Sequence, residues 1–201
     1  MAGPRPDGFA ALERLRSKVA DHGRLVVAFS GGTDSALLAR VAHDELGAGR
    51  VHAVTAISPS LASDEREDAE ALAREWGLRW STVETSEMED AAYRANDADR
   101  CAYCKDALMD VLVPLAEAEG ATVVLGVNLD DLGDYRPGQD AAAARGAQFP
   151  MVEAGLTKDD VRAASRHLGL RTADKPAAAC LASRIPYGTQ VTVALLSTVE
   201  R

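Results

Sequence analysis

The chain has 201 residues, which at about 150 residues per domain predicts one full domain with a short remainder and excludes a large multidomain assembly. Twenty-two Lys and Arg stand against 31 Asp and Glu, a net charge of −9, so neither a nucleic acid nor a membrane surface is expected to be held by charge alone. Hydrophobic residues make up 47% of the chain, 38 residues are alanine and only 4% are aromatic, which excludes intrinsic disorder and predicts a helix-rich core of small side chains.

From the amino terminus, Met1 to Phe9 holds two prolines, Arg5 and Asp7 without the apolar run of a signal or transit peptide. Phe9, Leu12, Leu15 and Val19 recur at helical spacing and predict a helix that Gly23 closes. Leu25 to Phe29 reads as a buried strand, followed by the turn Ser30-Gly31-Gly32-Thr33-Asp34-Ser35 and a helix over Ala36 to Leu46. The pattern repeats with a strand at Val51 to Ile57, a helix at Ser63 to Trp76 and a strand at Leu78 to Val83. A helix follows over Cys101 to Glu119, which Pro114 is expected to kink or break. Thr122 to Val127 is a fourth strand, Leu129 to Gly138 a polar loop and Asp140 to Arg145 a short helix. Thr157 caps a later helix ending at His167, with Gly169 beyond it, and the chain closes at Arg201 in helical sequence.

Strands alternating with helices predict an α/β fold with a mainly parallel sheet flanked by helices on both faces. Ligands of such sheets bind at the carboxyl ends of the strands, so the loops at Ser30, Ser58 and Val127 are expected to share one rim. No apolar run approaches the roughly 18 residues of a membrane span. A cytoplasmic location without membrane contact is the expectation.

The turn at Ser30 carries the first chemistry. Two glycines let the backbone approach a ligand closely, and the helix behind them offers unpaired N–H groups to an anion. The sequence lacks both Gly-x-x-x-x-Gly-Lys-Ser/Thr and Gly-x-Gly-x-x-Gly, which excludes a kinase-type P-loop and the usual dinucleotide turn. The six-residue string instead resembles the pyrophosphate loop (PP-loop) of the N-type ATP pyrophosphatases, with an adenine nucleotide alpha hydrolase-like fold. These enzymes split ATP between its α and β phosphates.

Three cysteines in a reducing compartment point to metal or sulfur chemistry rather than disulfides. Cys101 and Cys104 share one face near a helix amino terminus, where Arg100, Lys105 and the helix dipole are expected to lower their pKa values. Cys180 lies in a loop-like stretch between Lys175 and Arg184, an electropositive setting that suits a reactive thiolate or a soft metal. His22, His43, His52 and His167 stand at no zinc-finger spacing to these cysteines, so structural zinc would need distant partners.

Three strings narrow the resemblance: the pyrophosphate loop, Gly126-Val127-Asn128-Leu129-Asp130-Asp131 through Asp134-Tyr135-Arg136-Pro137-Gly138, and Ala179-Cys180-Leu181-Ala182-Ser183-Arg184. Together they look like the LarE family of ATP-dependent sulfur transferases, which help build the nickel-pincer cofactor of lactate racemase. The resemblance implies that ATP and Mg²⁺ adenylate a carboxylate of pyridinium biscarboxylate mononucleotide, after which sulfur displaces AMP to give a thiocarboxylate. It implies nucleotide contacts at Ser30, Gly31, Gly32, Thr33, Asp34, Ser35, Gly126, Asn128 and Asp131, with Asp34 also serving Mg²⁺. One branch of the family surrenders the sulfur of a cysteine matching Cys180. The other carries a four-iron four-sulfur cluster on three cysteines, for which Cys101, Cys104 and Cys180 supply the number, and this is the branch favoured.

Arg100, Lys105, Arg136, Lys175 and Arg184 are the cations expected to meet phosphate and carboxylates of the substrate. Val127 and Leu129 depart from the small hydroxyl residue and alanine expected beside Asn128. The domain is expected over residues 9–185, with 186–201 as the start of a C-terminal region that the family continues further. Partners implied are a small mononucleotide, other proteins of the cofactor pathway and further copies of the chain. Two alternatives stay open: a tRNA thiolation enzyme, which the acidic charge disfavours, and a non-catalytic nucleotide-binding protein with structural zinc.

Overall fold

The computed structural model describes residues 7–133 and 137–201. Asp7 accepts hydrogen bonds from the Phe9 and Ala10 N–H groups and so caps α1 (Gly8–Ala20). The buried face of α1 is Ala11, Leu12, Leu15 and Val19, whereas Phe9 is 54% exposed and only tilts against the His167 ring. Phe9 therefore corrects the expected stripe. The helix ends at Asp21 rather than at Gly23, because the Asp21 N–H closes onto the Val19 carbonyl.

Then follow β1 (Leu25–Ala28), α2 (Thr33–Leu46), β2 (Val51–Ile57), α3 (Ser63–Trp76) and β3 (Trp80–Glu84). A one-turn 3-10 helix at Glu87–Glu89 and α4 (Ala91–Ala95) lead into α5 (Arg100–Glu119) and β4 (Thr122–Leu125). After a 3-10 turn at Leu129–Leu132 come α6 (Pro137–Ala144), α7 (Pro150–Glu153), α8 (Lys158–His167), a 3-10 turn at Leu181–Arg184 and α9 (Val193–Glu200).

Pro114 lies inside α5 without ending it. Both Pro114 and Asp110, whose carbonyl loses its partner, are on the exposed side, where water can take over the lost hydrogen bond.

The four strands run parallel in the order β3-β2-β1-β4, in register from Leu25↔Val51 and Leu25↔Thr122. Alternation along the strands feeds two cores. Leu25, Val27, Val51, Ala53 and Val124 pack on α1, α2, α3 and α8, while Val26, Val54, Val123 and Leu125 pack on α5 and α6. A third cluster joins Ala62, Tyr93, Leu181, Ala182, Ile185, Val191 and Leu196, which fastens the chain from Leu181 onward against the segments that follow β2 and β3. No helix among the described residues is long and apolar enough to cross a membrane.

Candidate active site

A cleft of about 520 Å³ opens at the carboxyl ends of the strands, and Ser30, Ser58 and Val127 all line it. Its floor is the turn between β1 and α2. The Ser30 N–H donates to Ser35 Oγ (3.2 Å), the two serine hydroxyls lie 3.0 Å apart, and Ser35 Oγ donates to the Gly32 carbonyl (3.2 Å). Gly31 has φ +73° and turns its Cα against Ala69, while a Cβ at Gly126 would come within 2.7 Å of the Ser35 nitrogen. Both glycines are there because backbone meets backbone. No side chain caps α2 at Gly32, so the first N–H groups of α2 are available to an anion.

Asp34 is held from two sides. Its Oδ1 accepts from Asn128 Nδ2 (3.1 Å), and its Oδ2 accepts from Lys158 Nζ. Asn128, 1% exposed, also donates from Nδ2 and its backbone N–H to Asp131 Oδ2 (2.9 and 3.1 Å), and Asp130 Oδ2 accepts the Lys158 backbone N–H (2.8 Å). The oxygen donors Asp34 and Asp131 on the cleft wall suit a hard divalent cation, and Lys158 shares the Asp34 carboxylate. Thr33 also lines the cleft, and its hydroxyl donates to the carbonyls of Thr172 (2.9 Å) and Lys175 (3.3 Å), joining the loop to the segment that leads to Cys180.

Cys104 and Cys180 both line the cleft, and Cys101 is exposed beside it without being among its lining residues. Cys180 Sγ and Ser183 Oγ lie 3.0 Å apart. Burial pushes the Cys104 thiol up to about 11; Lys105 opposes the rise, and Glu87 and the other two cysteines add to it. This reverses the lowering expected for Cys104. Desolvation outweighs the helix terminus, and Arg100 is turned away, donating to Asn96 Oδ1, the Ala182 carbonyl (2.8 Å) and Ser183 Oγ (3.3 Å). Among the described residues no group of three or more His, Cys, Asp and Glu side chains converges as a metal site. The three thiols as arranged do not form the ligand set that a cluster or a structural zinc needs.

The expected substrate cations divide. Lys105 lines the cleft. Arg100 is 4% exposed and holds the Leu181–Arg184 turn. Lys175 is drawn to Glu65 Oε2 (2.8 Å), Asp68 Oδ2 (2.6 Å) and the Gly31 carbonyl (3.3 Å). Arg184 reaches the Val199 carbonyl at the surface, away from the cleft lining. Arg136, with Asp134 and Tyr135, lies outside the described residues.

Lys158, Glu65, Glu87, Thr85, Ser60 and Gln139 join the lining without having stood out in the sequence. Lys158 had a signal: a lysine directly after the cap Thr157, in the first turn of a helix, opposes the helix dipole. Glu87 had none, lying in the acidic run Glu87-Met88-Glu89-Asp90.

This parallel sheet, with its glycine turn at the end of the first strand, has the PP-loop, adenine nucleotide alpha hydrolase-like fold. The NAD synthase family profile matches residues 10–108. An NH3-dependent NAD synthetase from Campylobacter jejuni has the same fold, with a TM-score of 0.66 at 22% identity over 82% of this chain and 75% of that one. Over 94% of its length the chain is 49% identical to the uncharacterized protein slr1717 of Synechocystis sp., covering 71% of that protein. It is 37% identical over 89% of its length to the pyridinium-3,5-bisthiocarboxylic acid mononucleotide synthase of Lactiplantibacillus plantarum, of which it spans 65%. The chain belongs to the family of the Synechocystis protein, and it is similar to the Lactiplantibacillus synthase, of which it spans just under two thirds.

Proposed function

We propose that the chain is the nucleotide-using part of a sulfur transferase that adenylates a carboxylate of pyridinium biscarboxylate mononucleotide and replaces it with a thiocarboxylate. The observation that carries this reading is the placement of two thiols, Cys104 and Cys180, in the same cleft as the pyrophosphate loop. The Lactiplantibacillus relative supports the substrate class.

In this reading the α2 N–H groups and the Ser30 and Ser35 hydroxyls hold the phosphates, and Lys158 offsets their charge. A substrate carboxylate oxygen attacks the α-phosphorus and pyrophosphate leaves. Bound Mg²⁺ supplies charge neutralisation at the phosphates. The Cys180 thiol gives up its proton to solvent and its sulfur attacks the acyl carbon, AMP leaves with the bonding electron pair, and Ser183 Oγ is placed to hydrogen-bond the sulfur. Cleavage of the Cys180 Cβ–S bond, with loss of the Cα proton, leaves the sulfur on the substrate and dehydroalanine in the chain.

Delivery through a cluster on Cys101, Cys104 and Cys180 would require the three thiols to draw together, and no step is written through it. The wider reading, with a nickel-pincer cofactor pathway, a cytoplasmic setting, homo-oligomers and a C-terminal region beyond residue 186 that completes the substrate pocket, is part of the same proposal.

The test is iron and acid-labile sulfide per chain after anaerobic purification, in wild type and Cys104→Ala, with intact mass after incubation with ATP, Mg²⁺ and the mononucleotide. A mass lower by one H₂S without iron is the expected result. About four irons per chain, lost in the variant, with unchanged mass, would transfer the sulfur step to a cluster. Zinc with neither change would overturn sulfur transfer and leave a nucleotide-binding protein.

A further inference from the structure

Glu87 begins the 3-10 turn beyond β3, is 3% exposed and lines the cleft. Its Oε2 is buried with no hydrogen-bond partner among the described residues. Buried polar atoms are nearly always partnered, and a buried carboxylate without a cation is the costliest exception, so such a group calls for a ligand that completes it. Of the two lysines that line the cleft, Lys158 is engaged by Asp34 and Lys105 stands beside Cys104, and neither forms a hydrogen bond to Glu87 among the described residues; Glu87 lies near the Cys104 thiol and the Ser60–Tyr93 hydroxyl pair. The protein therefore places on the cleft wall a buried carboxyl oxygen that no group among the described residues bonds.

We propose that Glu87 determines specificity for a cationic aromatic ring, and that in this site it faces the pyridinium nitrogen side of the mononucleotide acceptor. The assignment rests on the functional reading above. A quaternary ring nitrogen has no N–H, so it asks for a nearby anion rather than a directed hydrogen bond, and an otherwise unpaired carboxylate provides one. Substituents at ring positions 3 and 5 are meta to the nitrogen. The ribosyl group fills the in-plane direction at the nitrogen, so Glu87 meets the ring face at that atom, away from both meta carboxylates.

The experiment measures binding of nicotinic acid mononucleotide and of its uncharged-ring 1,4-dihydro form to the full chain, with a non-hydrolysable ATP analogue present. Wild type is expected to prefer the cationic ring by about tenfold, and Glu87→Gln to lose that preference while keeping its affinity for the ATP analogue. Glu87→Asp, which keeps the charge, should retain a preference. Equal binding of both rings by wild type, an unchanged preference in Glu87→Gln, or equal weakening of both rings in that variant would each overturn the proposal. Failure of wild type to bind either ring while it still binds the ATP analogue would overturn the substrate reading itself. If Glu87→Gln does not fold, the wild-type preference and Glu87→Asp decide.

Discussion

Lys158 Nζ lies 2.5 Å from Asp34 Oδ2, so an ammonium in the first turn of α8 meets a carboxylate in the first turn of α2 across 124 residues of chain. The lysine opposes the dipole of its own helix and is held by Asp34 instead, at the spot where phosphate charge would arrive. Lys158→Met is expected to lower ATP–pyrophosphate exchange by about 100-fold with the fold intact by circular dichroism. An exchange rate within twofold of wild type would remove Lys158 from the nucleotide site.

Cys180 and the pyrophosphate loop share the cleft but perform separate steps in the proposed reaction. Cys180→Ser should keep ATP–pyrophosphate exchange in the presence of acceptor and lose thiocarboxylate formation, as read by mass spectrometry of the nucleotide product. Retained thiocarboxylate would exclude Cys180 as the sulfur carrier.

The three thiols should not alkylate alike. Cys104, pushed up to about 11 chiefly by burial, has a thiolate population that falls tenfold for each pH unit below that value, whereas Cys101 and Cys180 are exposed. Peptide mapping after brief iodoacetamide treatment at neutral pH is expected to find Cys104 labelled last. Labelling of Cys104 ahead of the other two would contradict its burial.

Asp68 ties acid stability to the loop before Cys180. Burial alone would raise its carboxyl, but hydrogen bonds from Lys175 and Arg171 prevail and hold it below the ordinary carboxylate range. A carboxyl lowered in the folded state contributes stability above its unfolded pKa and loses it as pH falls through the folded value. The melting temperature should therefore drop as pH falls below about 4, and Asp68→Asn should flatten that slope. Lys175 gives the opposite limb. Burial would lower it, Asp68 and Glu65 raise it on balance, and its contribution is full below the ordinary lysine pKa and lost as pH rises through the raised value.

Arg100 should behave as a structural residue. Its guanidinium is buried, bonded to Asn96, Ala182 and Ser183, and set over the Tyr187 ring at 5.8 Å. Arg100→Ala is expected to cost about 3 kcal/mol in urea unfolding by leaving Asn96 and the Ala182 carbonyl without their donor. Arg100→Lys cannot restore the forked contacts and should recover little.

The frame of the molecule was written in local pattern. Val51–Ile57 and Ser63–Trp76 fall where alternation and first-turn acids put them, and Thr157 with Asp160 forms the capping box that starts α8. The third strand begins at Trp80 instead of Leu78, because the Leu78 N–H is used to close the end of α3 onto Ala73. Side-chain direction was not legible. Arg100 flanks Cys101 in sequence yet points into the Leu181–Arg184 turn, and Lys175 is claimed by Glu65 and Asp68, more than a hundred residues earlier. Charge adjacency along a chain says nothing of which neighbour a long side chain will find after folding. Glu87 escaped notice for the same reason, since only the packed structure distinguishes a buried acid from its exposed neighbours.

The segment carrying Cys180 is secured at both ends, by Lys175 to the Gly31 carbonyl and by the Leu181 N–H to the Ser60 carbonyl (3.0 Å). Cys180 is one residue from the second anchor, so its Cα stays within about 3.8 Å of a fixed point. It is a post and not a swinging arm. In the proposed reaction the acceptor must therefore come to Cys180 at the mouth of the cleft, and turnover is set by what can dock there.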